Sequence, residues 1–446
     1  MKIGLLPFYL ALYDQVAPAT GTTLRPFADT IAGELSKRGF EVVQSPACCV
    51  KKEFAEAVKL FESSGCHAIA TLHLAYSPSL ESIDALAGTD LPIVVIDTTM
   101  DHEFSAPSGI MNNHGIHGVQ DFCNLLLRHK KPFLISAGHW QYSDVLDRAA
   151  DQLKSAFMAW KLYHSKVGKV GGDFDGMGDF RVPEGTFNMQ IAEYTACGEV
   201  PAEEINSEMA LDREHFEWDN ALNEDVLAIT LKTSLKIRKW VENEKLDAFT
   251  IAFPGINRSE NWKTVPFLEC SKAMARGIGY AGEGDVLTAA VTGVLAKVFP
   301  ETSFTEMFCP DWKNNRIFTS HMGEINPAIC ANKPYLHEMP YSFSDTGNPV
   351  IATGCFKAGK AVLVNLAPGA DGKFTLIAAE VTYGVPSEYP KTSNCGWFTP
   401  DKSNIADFLE NYSKAGGTHH LTCCYNANIS MIRDWAHLLN FKFTEC

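Results

Sequence analysis

Short apolar runs and amphipathic stretches alternate through the first third of the chain. The runs are Lys2–Phe8, Glu41–Ser45, Ala68–Leu74, Pro92–Asp97 and Pro132–Ala137. Between them lie segments with helical periodicity: Thr23–Arg38, Lys51–Ser64 and Gln120–Arg128. This alternation predicts βαβ units and a parallel sheet, whose carboxyl edge is where functional loops gather. An amphipathic stretch from about residue 145 to 165 leads into a second α/β region. That region holds the run Lys166–Val170, the loop Gly171–Gly178, a long helical stretch Asp225–Glu244, the run Ala248–Ala252 and a helix over Val265–Arg276.

The pattern changes after about residue 300. Asn348–Thr353, Ala361–Asn365 and Phe374–Val381 are β-rich, and Lys357–Lys360 and Gly369–Gly372 read as hairpin connections. The expected fold is α/β: two parallel-sheet, Rossmann-like domains followed by a mainly antiparallel C-terminal domain. The expected boundaries are 1–167, 168–299 and 300–446.

Composition narrows the function classes. The chain has 446 residues, 46% hydrophobic and 20% charged, which is ordinary globular usage. With 38 basic and 53 acidic residues the formal charge is −15, which disfavours a nucleic-acid partner. No apolar stretch is long enough to span a bilayer, so no membrane partner is expected. The apolar start of the chain and Ala17-Pro18-Ala19 imitate a leader peptide, but Pro7 and Asp14 break that pattern. Lys2–Phe8 is therefore read as the first strand, and the location as cytoplasmic. The 13 cysteines show no C-x-x-C spacing and are read as reduced, mostly buried thiols.

Four segments bring metal-ligand types together. Gly282-Glu283-Gly284-Asp285 opens a helical stretch, where a carboxylate is favoured by the helix dipole and the glycines admit close approach. Thr302–Glu306 and Ser320-His321-Met322-Gly323-Glu324 follow, with Glu324 a competing ligand beside His321. Gly416-Gly417-Thr418-His419-His420 lies far downstream. If the backbone is extended there, the two histidines point to opposite faces, and only one serves a given metal. Read singly, each segment has a plain alternative: a helix cap, a loop glutamate, a core histidine and a surface histidine pair. Together, two carboxylates and two imidazoles suit a divalent cation such as Mn²⁺ or Co²⁺, with Mg²⁺ also admissible.

These segments resemble, in order and spacing, the metal-binding motifs of the L-arabinose isomerases. Gly279-Tyr280-Ala281-Gly282-Glu283-Gly284-Asp285 is similar to the first motif and Thr302-Ser303-Phe304-x-Glu306 to the second. Ser320-His321-Met322-x-Glu324 is similar to the third and Gly416-Gly417-x-His419-His420 to the fourth. Asn113-x-x-x-His117-Gly118 and Gly138-His139-Trp140-Gln141 resemble further family segments, and Lys2-Ile3-Gly4-Leu5-x-Pro7 resembles the opening of the related L-fucose isomerases.

The resemblance implies Glu283, Glu306, His321 and His420 as ligands of the cation, and Glu283 and Glu306 as the acid/base pair. These would move a proton between C1 and C2 of a sugar through a cis-enediol. It also implies substrate contacts at Tyr9, His117, Met177 and Phe253, His117 being supplied by a neighbouring subunit of a homotrimer or homohexamer with active sites at its interfaces. His114, also an expected substrate contact, stands where arabinose isomerases have Gln, and the Gln-bearing N-terminal loop is absent. The expected activity is thus a metal-dependent aldose–ketose isomerase whose small sugar substrate is not L-arabinose. A sugar epimerase on the same scaffold and a non-catalytic sugar-binding protein are the alternatives. No nucleotide cofactor is expected, because no Gly-x-Gly-x-x-Gly or P-loop follows the first strand. Lys166 and Arg181 are read as solvated charges or anion contacts.

Overall fold

In the computed structural model, residues 1–105, 108–182, 189–259, 261–386 and 390–446 are described. The chain partitions into two compact units: Met1–Lys161 with Arg433–Asn440, and Leu162–Ile432 with Phe441–Cys446.

The first unit is built on strands β1 (Lys2–Phe8), β2 (Glu41–Gln44), β3 (Ile69–His73), β4 (Ile93–Asp97) and β5 (Phe133–Ala137). They form a parallel sheet in the order β2-β1-β3-β4-β5. β3 is buried throughout and β4 nearly so, as continuous apolar strands covered on both faces should be. Leu6, Phe8, Phe54, Phe61, Ile93, Val95 and Phe122 fill one side of this sheet. The strand order reverses between β1 and β3, which opens a crevice at their carboxyl ends. Lys2–Phe8 is indeed a central strand.

The second unit contains three sheets. β6 (Lys166–Val170), β7 (Gln190–Glu193), β9 (Ala248–Ile251) and β10 (Gly279–Gly282) pair in parallel in the order β10-β9-β6-β7. β8 (Glu217–Trp218), β13 (Tyr335–Glu338) and β14 (Val350–Thr353) form a small sheet over Phe216, Leu227, Leu231 and Leu268. The third sheet takes β11 (Thr302–Asp311), β12 (Arg316–Ser320), β15 (Gly359–Pro368), β16 (Phe374–Tyr383), β17 (Gly396–Pro400), β18 (His420–Tyr425) and β19 (Lys442–Glu445). Its order is β15-β18-β11-β12-β17-β16-β19, and β15 also pairs with β16. The antiparallel sheet therefore closes into a barrel around Ile317, Leu363, Ile377, Val381, Phe398 and Leu421, and β19 joins in parallel outside the closure.

Two expectations change, and one helix is buried more fully than an amphipathic helix would be. Lys357–Lys360 is not a hairpin connection, because β14 pairs with β13 while β15 pairs with β16 and β18. The turn residues mark a change of direction at which the chain also changes sheet. The helix Val286–Val298 is buried on every side up to Ala296, because it touches both the parallel sheet and the barrel. Finally, not all cysteines are thiols: Cys355 and Cys395, 40 residues apart in sequence, form a disulfide. A backbone bridge between the two residues holds them in register for it. No helix among the described residues is long and apolar enough to cross a membrane.

Candidate active site

The barrel sets three of the four expected ligands by register alone. On β11, Glu306 lies opposite His420 of β18 on one side and Ser320 of β12 on the other. His321 follows β12 directly. The fourth, Glu283, comes from the turn between β10 and the helix Val286–Val298. Its φ of +63° lies in the left-handed region, which a non-glycine residue adopts only when the surroundings enforce it. The enforcement is visible. The Glu283 N–H donates to the Ile251 carbonyl at 2.8 Å. The Thr250 hydroxyl donates to the Gly282 carbonyl at 3.2 Å and accepts from the Gly284 N–H at 3.0 Å. Gly282 leaves room for an imidazole, since a Cβ there would come within 2.8 Å of His321 Cε1.

Each imidazole is oriented by a carboxylate. Glu324 accepts from His321 Nδ1 at 2.8 Å, from the Gly323 N–H at 2.8 Å and from the Tyr280 hydroxyl at 2.6 Å. Asp285 accepts from His420 Nδ1 at 3.1 Å with one oxygen, and with the other caps the helix at the Thr288 N–H, 2.9 Å away. A carboxylate is acceptor-only, so each Nδ1 carries the hydrogen and each Nε2 is left as a donor atom for a cation. His420 Nε2 is buried and makes no aligned hydrogen bond; Glu283 Oε2 is 3.4 Å away. Aromatic rings fix the imidazoles further. Phe180 stacks on His420 at 5.3 Å, and Phe304 meets His420 and His321 edge-on at 5.0 and 4.7 Å.

The ligand atoms of Glu306, His321 and His420 lie within 4.8 Å of one another, and so do those of Glu283, His419 and His420. The orphaned His420 nitrogen and the absence of a thiolate from this donor set fit a divalent cation of intermediate softness. Here the expectation for the histidine pair is corrected. His419 and His420 do not face apart: both Nε2 atoms lie near Glu283 Oε2, at 3.5 and 3.4 Å, with ring centroids 4.2 Å apart. His419 stands before β18, at a bend, and so escapes the alternation of a strand.

The two glutamates differ electrostatically. Burial pushes Glu283 up, but the neighbouring imidazoles of His419, His420 and His321 outweigh it and hold the carboxyl at about 2. Glu306 is moved the other way, raised by burial against the pull of the three histidines. His420 is opposed by burial yet raised to about 9 by Asp285 and Glu283.

Of the expected substrate contacts, Phe253 is buried just after β9, edge-on to Phe174, Tyr341 and Phe343 at 5.7, 6.4 and 6.0 Å. Met177 is in the loop before Asp179 and Phe180, and its N–H donates to the Phe174 carbonyl at 3.4 Å. Tyr9, His114 and His117 belong to the first unit. Tyr9 follows β1 at the crevice, under the Arg25 guanidinium. His114 joins Tyr13 Oη through Nδ1 at 2.8 Å and His117 through Nε2 at 3.0 Å. Lys166 pairs with Glu244 at 2.6 Å, and Arg181 donates to the Phe174 carbonyl at 2.9 Å. Asp179, Phe180 and Tyr13 carry no motif that marks them in sequence. Asp285 and Glu324 stand in view there, as a helix cap and a rival ligand, and act instead on the imidazoles.

The chain is similar to known proteins along most of its length. Residues 301–442 match the L-arabinose isomerase C-terminal domain and residues 188–300 the L-arabinose isomerase central domain, together more than half of the chain. An L-arabinose isomerase of Shouchella clausii is 25% identical over 90% of this chain and 86% of its own. L-arabinose isomerase 1 of Bacillus licheniformis is 27% identical over 87% and 82%, and the Aeromonas hydrophila enzyme 24% over 94% and 90%. With two consecutive domain matches and relatives aligned along most of its length, the chain belongs to the L-arabinose isomerase family.

Proposed function

We propose that the chain is a cation-dependent aldose–ketose isomerase acting on a small sugar other than L-arabinose. One observation carries the reading: Glu283, Glu306, His321 and His420 converge with both ligand imidazoles turned by carboxylates to offer Nε2. Bound there, a divalent cation, Mn²⁺ by preference and Co²⁺ or Mg²⁺ otherwise, supplies Lewis acidity toward neighbouring sugar oxygens. Glu283 and Glu306 are the proton-transfer groups. One carboxylate takes the proton from C2 of the aldose while the C1 carbonyl oxygen is protonated, giving a cis-enediol. Return of a proton to C1 and loss of the O2 proton then give the ketose. The opposed shifts of the two carboxyls suit this division, with Glu283 held ionised and Glu306 closer to accepting a proton.

The substrate reading rests on His114. Where relatives present an amide, this chain presents an imidazole tied to Tyr13 and His117, a different donor pattern for a sugar hydroxyl. By the family resemblance the working form is a cytoplasmic homotrimer or homohexamer, in which a neighbouring copy supplies His117. The net charge of −15 argues against nucleic acid as a partner.

The test is a panel of aldoses and ketoses incubated with Mn²⁺-loaded protein in D₂O and followed by NMR. Deuterium at C2 of one aldose, with its ketose accumulating, is the expected result. Isomerisation without deuterium would replace proton transfer by hydride shift. Turnover confined to L-arabinose would overturn the substrate reading, and no turnover of any sugar would overturn the activity.

A further inference from the structure

A cavity of about 600 Å³ opens in the second unit among the helix Ala202–His215, the helix Phe267–Ala275 and the turn Pro327–Ile329. Leu211, Phe216, Cys330 and Pro334 give it apolar walls, and Asp212 stands among them. None of Glu283, Glu306, His321 and His420 lines it.

Charged side chains reach this cavity as a ladder of alternating sign. Arg276 pairs with Glu269, and Glu269 with Arg238 at 2.9 Å. Arg238 pairs with Glu208 at 2.6 Å, and Glu208 with Lys272 at 2.8 Å. Lys272 pairs in turn with Asp212. Every inner member thus has a partner on each side, but Asp212 has one. Its Oδ1 meets Lys272, whereas its Oδ2 is buried and has no hydrogen-bond partner among the described residues. The residue is 1% exposed. An ionised carboxylate closed off from water is unfavourable without a donor on each oxygen. Burial, with the Glu208 charge nearby, accordingly raises the Asp212 carboxyl to about 6 against the pull of Lys272.

Sign and shape limit what would complete the ladder. The next member is a cation that donates hydrogen bonds. A bare metal ion suits the place poorly, because the remaining wall is apolar and Lys272 already lies between the carboxylates. An ammonium group suits it well, with the Phe216 ring close by for a cation–π contact; the Lys272 ammonium itself is 5.8 Å from that ring. His215 and Lys333 also line the cavity, but both are exposed, so solvent screens their charges.

We propose that this cavity is a binding site for a small organic ammonium ion, a primary amine on an apolar body, whose head is held by Asp212. The site is independent of the isomerase reading. The plainer role is structural: the ladder ties the helix Ala202–His215 to the helices Glu224–Asn243 and Phe267–Ala275, and water fills the cavity.

The test is calorimetric titration of the full-length protein with phenethylamine at neutral pH, beside phenethyl alcohol and hydrocinnamate as neutral and anionic controls of similar size. The expected result is one phenethylamine per chain, with both controls at least about 10-fold weaker. D212N should weaken the amine about 10- to 100-fold, the range for a hydrogen bond to a charged group. Because D212N also disturbs the ladder, melting temperatures are recorded, and a second variant leaves the ladder intact. Ala275 is exposed and lines the cavity, so A275W fills the space with an indole. It should abolish amine binding while the melting temperature stays within a few degrees. Amine affinity unchanged in either variant would overturn the assignment. Hydrocinnamate binding as tightly as the amine would refute a cation site. No amine binding by the unaltered chain would leave the ladder a structural tie around water.

Discussion

Glu306 lies between His420 and Ser320 on neighbouring strands, buried enough for its carboxyl to be raised, and no backbone contact depends on its side chain. Glu306→Gln is therefore expected to lower kcat by about 10²- to 10⁴-fold, the usual worth of a positioned proton-transfer group. The melting temperature should stay within a few degrees. Circular dichroism beside a turnover assay checks both, and normal turnover would remove Glu306 from the chemistry. At this scale the sequence was half readable. Ligand types and their order stood out in Gly282–Asp285, Thr302–Glu306 and Ser320–Glu324. Glu324 was legible only as a rival to His321, because the bond from Nδ1 that makes it a partner is a matter of rotamer and burial. Asp179 had no signal at all: an acid in a glycine-rich loop is the commonest of surface features, and its partner His419 lies 240 residues on.

Among elements, the turn from β10 into the helix Val286–Val298 does the most for the site. Asp285 caps the helix with one oxygen and turns His420 with the other. Asp285→Ala is expected to cost about 1 kcal/mol from the lost cap. It should also weaken Mn²⁺ binding by roughly 10- to 100-fold through the freed imidazole. Urea unfolding and metal titration measure the two separately, and loss of stability with unchanged Mn²⁺ affinity would confine Asp285 to capping. Gly284 has φ +88°, and a Cβ there would approach the Gly172 carbonyl to 2.9 Å. Gly284→Ala should cost about 1–3 kcal/mol and shift Glu283 with it, which a melting curve would show. The strands and helices of this region were readable from periodicity, since each obeys its local pattern. Their partners were not: nothing in Lys357–Lys360 says that the next strand enters a barrel, and nothing in Val286–Ala296 distinguishes one covered face from burial all round.

In the molecule as a whole, stability has a source in groups that take no part in the chemistry. Arg238 donates to Glu208 at 2.8 and 2.6 Å and to Glu269 at 3.2 and 2.9 Å, and Lys272 joins Glu208 at 2.8 Å, all with side chains mostly out of water. Arg238→Met would leave two buried carboxylates short of a partner and should cost about 3–5 kcal/mol. Burial raises the Glu208 carboxyl, but Arg238 and Lys272 outweigh it and hold it at about 2, below the unfolded value of roughly 4.3. A depressed carboxyl contributes stability that is complete above the unfolded value and is lost as pH falls through 4 toward 2. The melting temperature should therefore drop across that window, and drop less in Arg238→Met; an equal drop in both would place the acid sensitivity elsewhere. Barrel closure bears on how the protein is made. Asp285 and His420 meet across 135 residues, and β18 stands between β11 and β15 in the ring. On a ribosome, Glu283, Glu306 and His321 all emerge before their last companion exists. Until His420 has cleared the exit tunnel and its strand has filled the gap, a cation meets an incomplete cage beside an open sheet edge. On the proposed cation-dependent reading, loading waits for β18, and a chain stalled after β17 should neither retain Mn²⁺ nor resist proteolysis in its barrel strands.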